Sequence, residues 1–186
     1  WEQKTGTGNR EDLQELIFQL DTISVENYKL FLQEKFDYNA IINILAMNLL
    51  CRNHSTYYHN YYMFHDTNGS GKWHMFPWDL DKGFLYYEST ISYYHTSKFW
   101  APDNPIMELA CLSPAVMADI EQRIDVLFET RVNDATISQW ADSLNLTLAS
   151  SVADDTSDNL LNDNDWQTLL NVAKTAFNAN YNQLKY

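Results

Sequence analysis

The run His59-Asn60-Tyr61-Tyr62-Met63-Phe64 is followed, after a glycine-rich turn, by Lys72-Trp73-His74-Met75-Phe76-Pro77-Trp78-Asp79-Leu80-Asp81. Tyr61 to Phe64 and Trp73 to Phe76 are short aromatic runs, and Asp66-Thr67-Asn68-Gly69-Ser70-Gly71 between them has the composition of a turn. The pattern predicts a β-hairpin, and a hairpin brings its two open ends together. Asn60 and Asp79 then lie at adjacent strand ends although 19 positions separate them. Both can reach one cation, and an oxygen-only ligand set suits magnesium or manganese better than zinc.

With these residues in view, the segment resembles the CotH (spore coat protein H) kinase family. That family's signature runs Asn-x-Asp-x-x-x-His-Asn, an aromatic hairpin, then Pro-Trp-Asp-x-Asp. The counterpart here is Asn53-His54-Ser55-Thr56-Tyr57-Tyr58-His59-Asn60, followed by Pro77-Trp78-Asp79-Leu80-Asp81. Ser55 departs from the pattern, standing where the resemblance places the catalytic Asp. The spacing also fits the wider kinase logic, in which a catalytic-loop Asp precedes a metal-binding Asn by about five residues and a second metal-binding Asp follows a hairpin.

The resemblance implies phosphoryl transfer from ATP with Mg2+ or Mn2+. Asn60 and Asp79 would hold the metal, Asp81 would be a second metal ligand or a catalytic group, and His59 would contact phosphate. His54 or Ser55 would orient the acceptor hydroxyl. A serine hydroxyl stays neutral near pH 7 and is a poor proton acceptor, so transfer is expected to be slow, or reduced to nucleotide binding as in a pseudokinase. The implied acceptor is a protein Ser or Thr. The implied setting is bacterial and extracellular, at the cell surface or in the spore coat.

Composition bounds the alternatives. A chain of 186 residues, 45% hydrophobic, is long enough for one good core and reads as a single domain over 1–186. No run approaches the ~20 apolar residues of a membrane span. A formal net charge of −13 excludes nucleic acid as the main partner, because that partner needs a basic footprint. Trp1 to Arg52 has a helical pattern and no strands for a nucleotide-covering lobe. The expectation is therefore the C-terminal lobe of a kinase-like fold, with the N-terminal lobe absent from this chain.

Apolar spacing predicts helices at Arg10 to Leu20, Val25 to Lys35, Tyr38 to Cys51, Ile106 to Leu112, Ala115 to Thr130, Asp134 to Ser151 and Asp163 to Leu184. Thr22 to Ser24 should break the first two apart. Asp37 and Ser113 are the expected caps for the third and fifth. Tyr38 to Cys51 is apolar on most faces and should be the buried central support. Lys82 to Trp100 is expected to wrap the site as a loop with short helical turns. The fold class is thus α+β, mostly helical, with one aromatic hairpin carrying the metal and nucleotide site.

Blander readings stand beside these. Asp66, Asn68, Ser70 and Gly71 imitate the start of a calcium loop, but Pro77 stands where that loop needs Glu. A hairpin turn explains the run better. Cys51 and Cys111 lie among apolar neighbours and read as buried free thiols, although one bridge between them is open. His65, His74 and His95 show no zinc-ligand spacing and read as structural or surface residues. Asn53, Asn68 and Asn145 begin N-glycosylation sequons, relevant only in a eukaryotic secretory setting. The alternative function is a non-catalytic surface or secreted binding module. The 12 Tyr and 6 Trp supply rings for a polysaccharide or a cell-surface protein, if Tyr57, Tyr58, Tyr86, Tyr87, Tyr93, Tyr94 and Trp100 form an exposed platform.

Overall fold

The computed structural model describes residues 10–51, 53, 60–80, 104–154 and 163–185. Within them the order is α1 (Glu11–Thr22), a 3-10 turn (Val25–Asn27), α2 (Tyr28–Lys35), α3 (Tyr38–Cys51), β1 (Tyr61–His65) and β2 (Trp73–Pro77). Then come α4 (Pro105–Leu112), α5 (Pro114–Thr130), α6 (Asp134–Asp154) and α7 (Asp163–Lys185). The architecture is α+β and mostly helical, with one two-stranded antiparallel sheet. Lys82 to Trp100, expected to wrap the site, lies outside the described residues. No described helix is long and apolar enough to cross a membrane.

The middle helix begins where Asp37 can cap it. The Asp37 side chain accepts the Ala40 N–H at 3.2 Å and its carbonyl accepts the Ile41 N–H at 3.0 Å. From there Ile41, Ile42, Leu45, Ala46, Leu49 and Leu50 are all buried, so α3 is the central support that its apolar composition requires. Each such large side chain contributes roughly 1.5–3 kcal/mol by leaving water. Helices α5 and α7 and strand β2 pack against α3, and α6 packs on α7. Tyr28 is fully buried, and its hydroxyl donates to the Ile106 carbonyl at 2.8 Å, tying α2 to α4.

Helix boundaries depart from the apolar spacing by a residue or two where local backbone and side-chain bonds decide them. Arg10 is not helical but stands left-handed at φ 67°, and the helix starts at Glu11. At the other end α1 continues to Thr22, whose hydroxyl donates to the Phe18 carbonyl at 2.8 Å. Val25 to Lys35 is two pieces, because the Asn27 N–H bonds the Ser24 carbonyl at 3.0 Å and tightens the first turn into a 3-10 turn. Ser113 sits at the N-cap of α5, but its side chain makes no capping bond. Asn133 caps α6, accepting from the Thr136 N–H at 3.0 Å and the Thr136 hydroxyl at 3.2 Å. Asn104 caps α4 ahead of Pro105 at the first helical position.

The hairpin pairs Tyr61 with Pro77, Met63 with Met75 and His65 with Trp73. Period-2 alternation then divides its residues between two faces. Trp73 and Met75 are buried against the helices, whereas Tyr62, Phe64 and Phe76 are 41%, 51% and 51% exposed. The hairpin is fastened at the junction of α2 and α3. Phe36 bridges Trp73, and the Asp37 N–H donates to the Trp73 carbonyl at 3.1 Å. Lys72 Nζ caps the C-terminal end of α2, donating to the carbonyls of Gln33 (2.7 Å) and Phe36 (3.3 Å).

Candidate functional site

The open end of the hairpin brings Asn60 and Asp79 together. The Trp78 N–H donates to the Asn60 carbonyl at 2.9 Å, which extends the ladder one step beyond Tyr61 and Pro77. Asp79 then turns left-handed at φ 55°. For a residue with a side chain that conformation costs roughly 1–2 kcal/mol, less for Asp, whose short polar group finds local partners. The turn returns the carboxylate toward the preceding strand, and Asn60 Nδ2 donates to Asp79 Oδ2 at 3.2 Å. Asp79 is exposed and Asn60 half-buried.

The donor chemistry fits a hard cation. An amide oxygen and a carboxylate are the oxygen ligands magnesium takes, and magnesium keeps several of its waters, which an exposed position allows. Asn60 turns its nitrogen toward Asp79, so ligation requires the amide to rotate until its oxygen faces the cation. Among the described residues no group of three or more His, Cys, Asp and Glu side chains gathers to hold a metal. By themselves the two residues would supply only part of a metal's ligand set. His54, Ser55, His59 and Asp81, the other residues expected at the site, lie outside the described residues.

The hairpin's aromatic residues differ between its two faces. Tyr61, half-buried on the inner face, has its phenol pushed up to about 12 by burial. On the outer face Tyr62 meets the edge of Trp78 with centroids 5.5 Å apart, and Trp78 is 60% exposed. His74 lies between Phe64 (6.2 Å) and Phe76 (6.4 Å) on that same face. His65 stacks on Trp73 at 4.4 Å, and its Nδ1 is 2.7 Å from Asp12 of α1. His65 and His74 thus build structure, as their lack of ligand spacing suggested; His95 lies outside the described residues.

At the far end of the hairpin Asp66 is consumed by its own turn. Its carboxylate accepts the Ser70 N–H at 2.8 Å and the Ser70 hydroxyl at 3.0 Å, and its carbonyl accepts the Gly71 N–H at 2.9 Å. A Cβ at Gly69 would run into that carboxylate, and Gly71 takes φ 68°. The calcium-like spacing is thereby explained as turn chemistry. Both cysteines are free and half-buried, and burial pushes both thiols up, Cys51 to about 12.

Sequence reasoning overlooked two buried asparagines at the C-terminal end of α3, Asn48 in α3 and Asn180 in α7. A signal existed for Asn48, a polar residue in an otherwise apolar helix. None existed for Asn180, whose partner is the Leu50 carbonyl, 130 positions away.

No curated protein matches the chain. The family model described as CotH kinase protein matches residues 1–186. Motif, hairpin and whole-length match agree, and the chain belongs to the CotH kinase family.

Proposed function

We propose that this chain carries the metal-binding part of a magnesium-ATP phosphotransferase acting on Ser or Thr hydroxyls of a protein. The observation that carries the reading is the Asn60 and Asp79 pair, 3.2 Å apart at the open end of the hairpin. Kinase-type sites place a metal-binding Asn and Asp at these two positions. Magnesium bound there neutralises phosphate oxygens during transfer. The bond from the γ-phosphorus to the bridging oxygen of ATP breaks, the acceptor hydroxyl oxygen forms the new bond, and its proton leaves to a base.

The identity of that base sets the rate. Ser55 replaces the carboxylate that the family motif carries, so His54 or Asp81 takes the orienting role, with His59 on phosphate. A neutral serine supplies none of the attraction that a carboxylate exerts on the hydroxyl proton, and turnover falls below that of a chain with Asp there. The helical architecture with one hairpin supports reading residues 1–186 as the C-terminal lobe of a kinase-like fold. The family's link to the spore coat supports a surface or secreted setting.

A calorimetric titration of magnesium-ATP tests the reading. Binding to the wild type that Asp79→Ala abolishes is the expected result, and a Ser55→Asp variant should then gain transfer by about 10–1,000-fold, within the range of general-base effects. Absence of binding to the wild type would sink it.

One observation favours a second reading, a binding module. Tyr62, Phe64, Phe76 and Trp78 expose an aromatic face on the outer side of the hairpin. Such rings stack on sugars or anchor a protein. The platform residues expected for that role, Tyr57, Tyr58, Tyr86, Tyr87, Tyr93, Tyr94 and Trp100, lie outside the described residues. Polysaccharide retention that Trp78→Ala removes while magnesium-ATP binding stays absent would favour this reading over the first.

A further inference from the structure

Asn68 is followed by Gly69, and no other asparagine of the chain precedes a glycine. The pair sits in the turn that closes the hairpin, and both residues are exposed. Exposed loop tips are where tolerance to chemical change concentrates. The chemistry that this pair permits is an attack by the backbone on its own side chain. Gly69 carries no side chain to shield its backbone nitrogen from the Asn68 amide carbon, and glycine lets the backbone rotate to bring the two within reach.

The bonds of the turn leave that nitrogen loosely held. Asp66 gathers three successive N–H donors: its carbonyl accepts from Gly69 at 3.3 Å and from Gly71 at 2.9 Å, and its carboxylate accepts from Ser70 at 2.8 Å. The Gly69 bond is the longest of the three and falls outside the roughly 2.7–3.2 Å of ordinary N–H···O bonds. Asn43 and Asn171 lie inside α3 and α7, where the next N–H is committed to the helix ladder.

We propose that Asn68 is a site of spontaneous deamidation in the folded protein, with water as the co-reactant. The Gly69 nitrogen gives up its proton and forms a bond to Asn68 Cγ. The bond from Cγ to Nδ2 breaks, and ammonia leaves carrying that proton. Water then opens the resulting five-membered imide at one of its two carbonyls. Opening at the side-chain carbonyl keeps the ordinary peptide bond to Gly69 and leaves an aspartate. Opening at the backbone carbonyl routes the chain through the side chain and leaves an isoaspartate.

Either product adds a carboxylate two positions from Asp66, in a chain whose formal net charge is already −13. The Asp66 carboxyl is itself held below the usual range, chiefly by the Ser70 N–H, so two like charges then share the turn. The isoaspartate also lengthens the backbone by one methylene, and the N–H groups of Gly69, Ser70 and Gly71 lose their common register on Asp66. Deamidation thus loosens the closed end of the hairpin. The inference is independent of the phosphotransfer reading.

Incubation of the whole chain at mildly alkaline pH, followed by peptide mapping in a mass spectrometer, tests it. The peptide that holds Asn68 should gain one mass unit at least about tenfold faster than any other asparagine peptide, with isoaspartate detected by enzymatic methylation. A parallel incubation in guanidinium chloride separates the fold from the local sequence. The folded rate at Asn68 should lie within about tenfold of the unfolded rate; a larger gap would mean that the turn shields the amide, and would overturn the inference. A folded rate no higher than at the other asparagines would overturn it as well.

Hydrogen exchange at the Gly71 amide reads the consequence. It should quicken about tenfold or more in the isoaspartate fraction and change less in Asn68→Asp, which carries the charge without the added methylene. Exchange at wild-type rate in the isoaspartate fraction would overturn the loosening of the turn.

Discussion

Asp66 and Asp79 stand at the two ends of one hairpin and are used in opposite ways. At the closed end the Asp66 carboxylate accepts both the N–H and the hydroxyl of Ser70, and the Ser70 N–H holds its carboxyl below the usual range. At the open end Asp79 is exposed, left-handed at φ 55°, and shares a 3.2 Å hydrogen bond with Asn60. The first arrangement satisfies backbone groups that the turn would otherwise leave bare. The second leaves an exposed carboxylate beside Asn60 at some conformational cost. Backbone strain of this kind concentrates where function requires a particular side-chain position. One hairpin thus uses one Asp for its own closure and leaves the other exposed beside Asn60.

The largest effect expected is at the buried face that fastens both ends. Trp73 is 7% exposed, bridges Phe36 and stacks on His65, so Trp73→Ala should cost about 3–5 kcal/mol in urea unfolding. A loss below about 1 kcal/mol would mean the hairpin is not held through this side chain. At the closed end, Gly69→Ala forces a Cβ against the Asp66 carboxylate and should cost about 1–3 kcal/mol by the same measurement.

At the open end the sign should reverse. Asp79→Gly relieves the left-handed backbone, and the midpoint of unfolding should rise by the equivalent of about 0.5–1 kcal/mol. The same variant should lose magnesium-ATP binding in calorimetry. Stability lost together with binding would contradict the division of labour between the two aspartates.

The smallest effect concerns the clasp between α1 and the hairpin. Asp12 is held below the usual carboxylate range, chiefly by the hydrogen bond from His65, so it binds its proton less readily folded than unfolded. Its stabilising contribution is therefore present above about pH 4 and fades as pH falls through the lowered folded value. The side chain is 45% exposed, which limits the effect to below about 1 kcal/mol. Thermal midpoints followed from neutral pH to about pH 3 should show a shallower acid decline in Asp12→Asn than in wild type.

From the sequence alone one could read the helices, the hairpin and the meeting of Asn60 with Asp79 at its open end. These follow from short-range rules: the apolar spacing of α3, the cap at Asp37, the aromatic alternation about a Gly-rich turn, and a motif whose residues keep fixed spacing. Helix ends were less legible, as at Arg10, Thr22 and Val25, because local details decide them: a left-handed φ at Arg10, the Thr22 hydroxyl on the Phe18 carbonyl, and a backbone bond from Asn27 to Ser24. Tertiary structure alone decided which hairpin face is buried. It also decided that Asp12 meets His65 and that Asn180 holds the end of α3. Period 2 marks two faces without saying which one meets the core, and a hydrogen bond between residues 130 positions apart leaves no local trace. Only the packing of α7 on α3 brings that amide and that carbonyl within reach.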